Sequence, residues 1–140
     1  MKKRLFIFFL AFLMMSLLSA CTSTENDGED LLFKGQGESW EAEVYTGKVI
    51  EPEVKGIEPY VYFKPKGENS KGIKNIEYKL ESEQGSISGT DVSLNELGEV
   101  ALDNENITKA VTSETEEVRL TLSWLENNEP KTEEIVLEKK

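Results

Sequence analysis

From Leu31 onward the chain keeps returning to one pattern, an apolar side chain followed by a polar one. Trp40, Ala42 and Val44 alternate with Ser39, Glu41, Glu43 and Tyr45. Ile76, Tyr78 and Leu80 alternate with Glu77, Lys79 and Glu81. Val118, Leu120, Leu122 and Trp124 alternate with Arg119, Thr121 and Ser123, and Ile135 and Leu137 with Glu134 and Glu138. A strand sends successive side chains to opposite faces, so period two marks a sheet wet on one side and dry on the other. No window of roughly 11 residues beyond Cys21 carries an i, i+3, i+4 stripe. Asn95–Ala101 leaves room for one turn of helix at most.

Turn chemistry cuts the pattern into pieces. Lys66–Gly72 is a loop rich in Gly, Asn and Ser, and Glu126-Asn127-Asn128-Glu129-Pro130 joins two alternating runs as a hairpin. Asp103-Asn104-Glu105-Asn106 is a further loop, and Gln84-Gly85 and Ser88-Gly89 bracket a short piece around Ile87. Roughly seven or eight short strands at this spacing predict an all-β, antiparallel two-sheet sandwich of immunoglobulin-like kind, with a small barrel as the alternative. Trp40 and Trp124 run in phase with Val and Leu on their own strands, which makes them core residues. Tyr45 and Tyr62 fall out of phase with the apolar side of theirs. They are therefore the candidates for an aromatic binding platform.

Composition narrows the chemistry. The 140 residues include 16 Lys and Arg, 27 Asp and Glu, one Cys and no His. Without His there is no Ser-His-Asp or Cys-His catalysis and no imidazole metal ligand. One Cys forms neither an internal disulfide nor a thiolate zinc site. Removing Lys2, Lys3 and Arg4 leaves 13 basic against 27 acidic side chains, a net charge of −14. Such a surface does not replace the counterions of a nucleic acid, so no nucleic-acid partner is expected. There is no Gly-rich phosphate loop and no nucleophile elbow. Carboxylates are so abundant that no pair of them singles out a glycosidase. Asp103–Asn106 offers oxygen ligands to calcium, but it lacks the twelve-residue loop pattern and reads more simply as a turn. No metal and no cofactor is expected.

The first 20 residues form an address. Met1-Lys2-Lys3-Arg4 is a charged start, and Leu5–Leu18 is apolar except for Ser16. That stretch is shorter than the ~20 residues of a spanning helix and suits a signal peptide. Leu18-Ser19-Ala20-Cys21 follows and resembles the bacterial lipobox at every position. The resemblance implies diacylglyceryl transfer to the Cys21 sulfur and cleavage after Ala20, with Leu18, Ser19 and Ala20 as the recognition residues. Two acyl chains such as palmitate anchor a protein stably, where one chain anchors it only marginally. The organisation expected is a signal peptide over 1–20, an acidic tether over 21–32 and a β-domain over 33–140. Thr22–Asp30 has no apolar residue and reaches at most about 30 Å when extended.

Phe33-Lys34-Gly35-Gln36-Gly37-Glu38-Ser39-Trp40 resembles the Phe-Lys-Gly-x-x-Glu-x-Trp opening of small secreted or lipid-anchored proteins of Bacillus-type bacteria. Those proteins also tend to end in a Trp-containing hairpin, as Leu120–Leu137 does. The resemblance covers the two ends of the domain. It implies an extracytoplasmic, membrane-attached β-protein and supplies no catalytic residues. The functional expectation is a non-catalytic binding or accessory module of the cell envelope, meeting an envelope protein or a wall component. The alternative is a small envelope enzyme, or a ligand- or cation-binding lipoprotein using surface carboxylates.

Overall fold

The computed structural model describes residues 30–47, 58–67 and 70–140. Eight strands carry them: β1 Leu32–Gln36, β2 Trp40–Tyr45, β3 Tyr60–Pro65, β4 Ile73–Glu81, β5 Ser86–Val92, β6 Val100–Asp103, β7 Glu117–Glu126 and β8 Glu129–Lys139. One short helix, α1 (Ile107–Ala110), lies between β6 and β7. The fold is all-β and every strand pair is antiparallel, as the alternation predicts.

The strands hydrogen-bond in the single order β5-β4-β7-β8-β1-β2-β3-β6. This sheet folds over, so that β4 and β7 face β2 and β3 across one core. The ring contacts establish the facing. Trp40 of β2 meets Trp124 of β7 edge to face at 5.3 Å, and Phe63 of β3 lies 6.1 Å from Tyr78 of β4. The halves are joined where β1 meets β8 through Phe33↔Lys139 and Lys34↔Glu138. Each strand buries its predicted side: Trp40, Ala42 and Val44 on β2, Val61 and Phe63 on β3, and Val118, Leu120, Leu122 and Trp124 on β7.

Both tryptophans are core residues, Trp40 fully buried and Trp124 only 6% exposed. They sit near opposite ends of the β-domain in sequence, yet they touch. Their indole N–H groups meet no oxygen or nitrogen acceptor among the described residues. An edge-to-face pair sets the positive rim of one ring against the negative face of another, which offsets part of that loss.

The turns obey backbone sterics. Asn127 and Asn128 hold φ of 53° and 68°, the double left-handed turn whose twist matches a two-residue hairpin. Asn75, at φ 50°, accompanies register shifts in the pairing of β4 with both neighbours.

One local expectation is corrected, and one is narrowed. Asn95–Ala101, with room for one turn of helix at most, holds none. Asn95 Oδ1 accepts the N–H groups of Leu97 and Glu99 there, at 2.9 and 3.2 Å, which closes a non-helical turn completed by Gly98 at φ 76°. Helix instead forms at Ile107–Ala110, where Ile107 and Ala110 gain burial and Ser82 Oγ–H donates to the Ala110 carbonyl. Nor does Ser88-Gly89 end a strand, for β5 runs straight through it. Gly89 is there because the Tyr78 ring covers it. A Cβ at position 89 would lie 2.4 Å from Tyr78 Cε1.

A carboxylate fastens the β1–β2 turn to β8. Both Glu133 oxygens accept the Ser39 N–H, at 2.9 and 3.2 Å, and a Cβ on Gly37 would fall 1.6 Å from Glu133 Oε1. We expect Gly37→Ala and Glu133→Ala each to lower stability by about 1 kcal/mol. The double variant should lose little more than either alone, since both break the same contact. Urea unfolding monitored by tryptophan fluorescence measures this cycle. In the same assay Trp40→Ala should cost about 3–5 kcal/mol, as expected for deleting a buried indole.

Candidate functional site

Among the described residues, the outer face of β1, β2, β3 and β6 gathers the aromatic side chains that the core does not take. The registers Lys34↔Glu43, Glu43↔Tyr62 and Tyr62↔Ala101 make one row across four strands. The next row reads Leu32, Tyr45, Tyr60, Asp103 through the pairs Leu32↔Tyr45, Tyr45↔Tyr60 and Tyr60↔Asp103. Tyr45, Tyr60 and Tyr62 therefore share one patch and are all half-buried. The Tyr45 and Tyr60 rings are 5.4 Å apart with planes tilted by 38°. Tyr60 and Tyr62, two residues apart on one strand, necessarily point the same way.

Two of the phenols are tied by their hydroxyls, and the third has a longer contact. Tyr62 Oη donates to Glu99 Oε2 at 2.8 Å, Tyr60 Oη donates to Glu43, and Tyr45 Oη donates to Asp30 at 3.4 Å. Glu43 also receives Lys34 Nζ at 2.7 Å, and Lys64 pairs with Glu41 at 2.8 Å. Tyr60 and Tyr62 are thus pinned at their polar ends, and all three rings stay partly exposed. Beside Tyr62 lies a groove of about 330 Å³ lined also by Lys34, Gly35, Glu41 and Glu43.

These bonds shift proton affinities in a consistent direction. Burial first, and then the hydrogen bond to the Glu43 carboxylate, push the Tyr60 phenol up to about 12. Burial and Glu99 raise Tyr62 in the same way, as burial and Asp30 raise Tyr45. Burial acts to raise the Glu43 carboxyl, but hydrogen bonds from Lys34 and Tyr60 outweigh it and hold the group below its usual range. The shifts keep the Tyr60 phenol neutral and the Glu43 carboxylate charged near neutrality.

The structure places Tyr45 and Tyr62 together on this face, as their phase predicts. Sequence reasoning passed over Tyr60, although it shares the parity of Tyr62 and was legible by the same rule. It also passed over Glu43 and Glu99 as the groups that orient the rings. Those partners come from a neighbouring strand and from the turn before β6, and only the strand order reveals them. Leu18, Ser19, Ala20 and Cys21 lie outside the described residues.

A larger cleft, about 620 Å³, lies elsewhere, between the β4–β5 turn and the start of β7. Its acids Glu83, Glu116 and Glu117 are exposed, Glu117 pairs with Arg119 at 3.1 Å, and no aromatic side chain lines it. Thr115, the buried polar residue at its base, is satisfied by the Gln84 side chain at 2.6 Å. Among the described residues no group of three or more Cys, Asp or Glu is placed to hold a metal ion. The Asp103–Asn106 loop uses its amides structurally. Asn104 Oδ1 accepts the Asn106 N–H at 2.9 Å, and Asn104 Nδ2 donates to Tyr78 Oη at 3.3 Å. Among the described residues no helix is long and apolar enough to cross a membrane. Comparison of the chain with protein families, with curated proteins and with solved structures found no match.

The phenol bonds give a pH test. Below the ordinary phenol value of 10.0, Tyr60 is neutral in folded and unfolded chains alike, and its bond to Glu43 contributes in full. As pH rises from there to about 12, the unfolded phenol ionises before the folded one, and stability is lost through that window. Tyr60→Phe should flatten this alkaline decline and remove the latest phenolate step in an absorbance titration at ~295 nm, the phenolate band.

Proposed function

We propose that the protein is a non-catalytic binding module of the bacterial cell envelope, held to the membrane by lipid on Cys21. Residues 1–20 act as its signal peptide, and residues from Cys21 tether the β-domain a short distance from the bilayer. The tyrosine face of β2 and β3 is the contact surface, with Tyr45, Tyr60 and Tyr62 as its anchors. The observation that carries this reading is the gathering of three half-buried phenols on one outer face, Tyr60 and Tyr62 held by Glu43 and Glu99 and Tyr45 packed against the Tyr60 ring. A recognition surface gains from aromatic side chains whose rotamers are already fixed, because little side-chain entropy remains to be lost on contact. The partner is an envelope protein or a wall component rather than a nucleic acid. The family reading, a small lipoprotein of Bacillus-type bacteria, rests on the lipobox and on the Phe33–Trp40 motif.

The anchor and the face are tested separately. Intact-mass analysis of the protein from its native membranes should show a mature chain starting at Cys21 with a diacylglyceryl adduct. Cys21→Ala should abolish the adduct and release the protein from the membrane fraction. An unmodified Cys21 in native material overturns the anchor. For the face, replacing Tyr45, Tyr60 and Tyr62 together by Ser should remove a partner retained by the wild-type chain in membrane crosslinking, while circular dichroism at the assay temperature still shows the folded β-domain. A partner retained equally by that variant overturns the tyrosine face.

A further inference from the structure

The tyrosine face ends at an open strand. β6 pairs with β3 on one side, and no strand among the described residues pairs with the other. Its backbone polarity can be read from one bond: Asn104 N–H donates to the Pro59 carbonyl at 2.9 Å. In an antiparallel ladder the direction alternates, so Val100, Leu102 and Asn104 address β3. Ala101 and Asp103 then direct their N–H and C=O groups to the open side, and both residues are exposed.

We propose that β6 accepts an extended, basic peptide segment as a ninth strand, with its cationic side chains laid on the tyrosine face. The inference rests on the reading of that face as a binding surface and adds the chemistry of the partner. An added strand would pair through Ala101 and Asp103, whose side chains share the outer face with Tyr62 and Tyr60. The residue opposite Ala101 looks straight across a single methyl group toward the Tyr62 ring. A long side chain reaches it, because two strand spacings are about 10 Å. The opposite parity of the added strand would lie over Leu102, which is half-buried at the edge of the core. The occupant is thus a strand alternating basic and apolar residues.

Charge selects the sign. The edge offers Glu99 and Asp103, and Glu99 already polarises the Tyr62 phenol through its hydrogen bond. Tyrosine faces attract ammonium and guanidinium groups, and a domain this acidic draws a cationic partner in over longer range. An acidic or neutral strand would gain the backbone bonds without either attraction. The other edge, β5, is less available, since α1 packs against it and the Ser82 side chain next to its turn is bonded to Ala110.

The test uses the full chain in detergent and two fluorescent octapeptides, four Lys-Val repeats and four Glu-Val repeats, with chitotetraose as a glycan probe. Anisotropy should show the Lys-Val peptide binding at least about tenfold more tightly than the Glu-Val peptide, with affinity falling as salt rises. Ala101→Pro removes one outward N–H without touching the β3 ladder and should weaken binding by about tenfold. Tyr62→Ala should weaken it by about fivefold. Hydrogen exchange on the wild-type chain gives a readout independent of the variants: the peptide should slow exchange at Ala101 and Asp103. Equal binding of both peptides, no binding of the Lys-Val peptide, or unchanged exchange at Ala101 and Asp103 overturns the proposal. If chitotetraose binds instead, in a manner lost in Tyr62→Ala but kept in Ala101→Pro, strand addition is overturned while the tyrosine face stands.

Discussion

A relay of aromatic rings holds the folded-over sheet together. Trp124 on β7 meets Trp40 on β2, Trp40 meets Phe63 on β3 at 5.7 Å, and Phe63 meets Tyr78 back on β4. Tyr78 then covers Gly89 on β5 and receives Asn104 from the loop after β6. Strands at opposite ends of the sheet order are thereby brought within one cluster. The backbone link between the two halves is thin, two residue pairs between β1 and β8. Burial of these rings, rather than ladder hydrogen bonds, must therefore do most of the closing, since removing apolar area from water is the dominant driving force in folding a small domain.

Closing the sheet in this way sorts the aromatic residues by parity. On β2 and β3, one parity enters the relay as Trp40 and Phe63, and the other emerges outside as Tyr45, Tyr60 and Tyr62. The outer rings cannot be buried, so their hydroxyls are held by carboxylates from neighbouring strands and loops. Glu43 shows how few groups this takes. Its single carboxylate accepts Tyr60 and Lys34 at once and so fixes a ring and neutralises a cation across three strands. Because that pairing is half-exposed, its value lies more in orientation than in stability.

Much of this was legible in the sequence, and for a definite reason. Strand faces follow from parity alone, so the buried sides of β2, β4, β7 and β8 and the outward positions of Tyr45 and Tyr62 needed no tertiary information. The hairpin at Asn127-Asn128 was legible because a left-handed turn demands particular side chains. What could not be read was whatever depended on strand order. The contact between Trp40 and Trp124 is one example, and the pairing of Tyr62 with Glu99 is another. The Ser88-Gly89 reading failed because a glycine marks either a turn or a close neighbour. Only the position of the Tyr78 ring distinguishes the two. The helix at Ile107–Ala110 was missed because its reason for forming is burial, and four residues are too few to show a period.

Strand order also explains why the two edges of the sheet differ. β5 and β6 end the sheet, and any protein must blunt such edges or use them. At β5 the blunting is visible, in the left-handed Asp91, the register shift beside Ile76 and the packing of α1. β6 carries two of the usual safeguards, since it is four residues long and flanked by acids. Both work well against a second copy of so acidic a chain, because like charges would meet along the new ladder. Neither excludes a basic strand, for which the same acids become attractive and Ala101 leaves the way to Tyr62 unobstructed. An edge closed to its own kind and open to the opposite charge follows from one composition bias acting at one place in the fold.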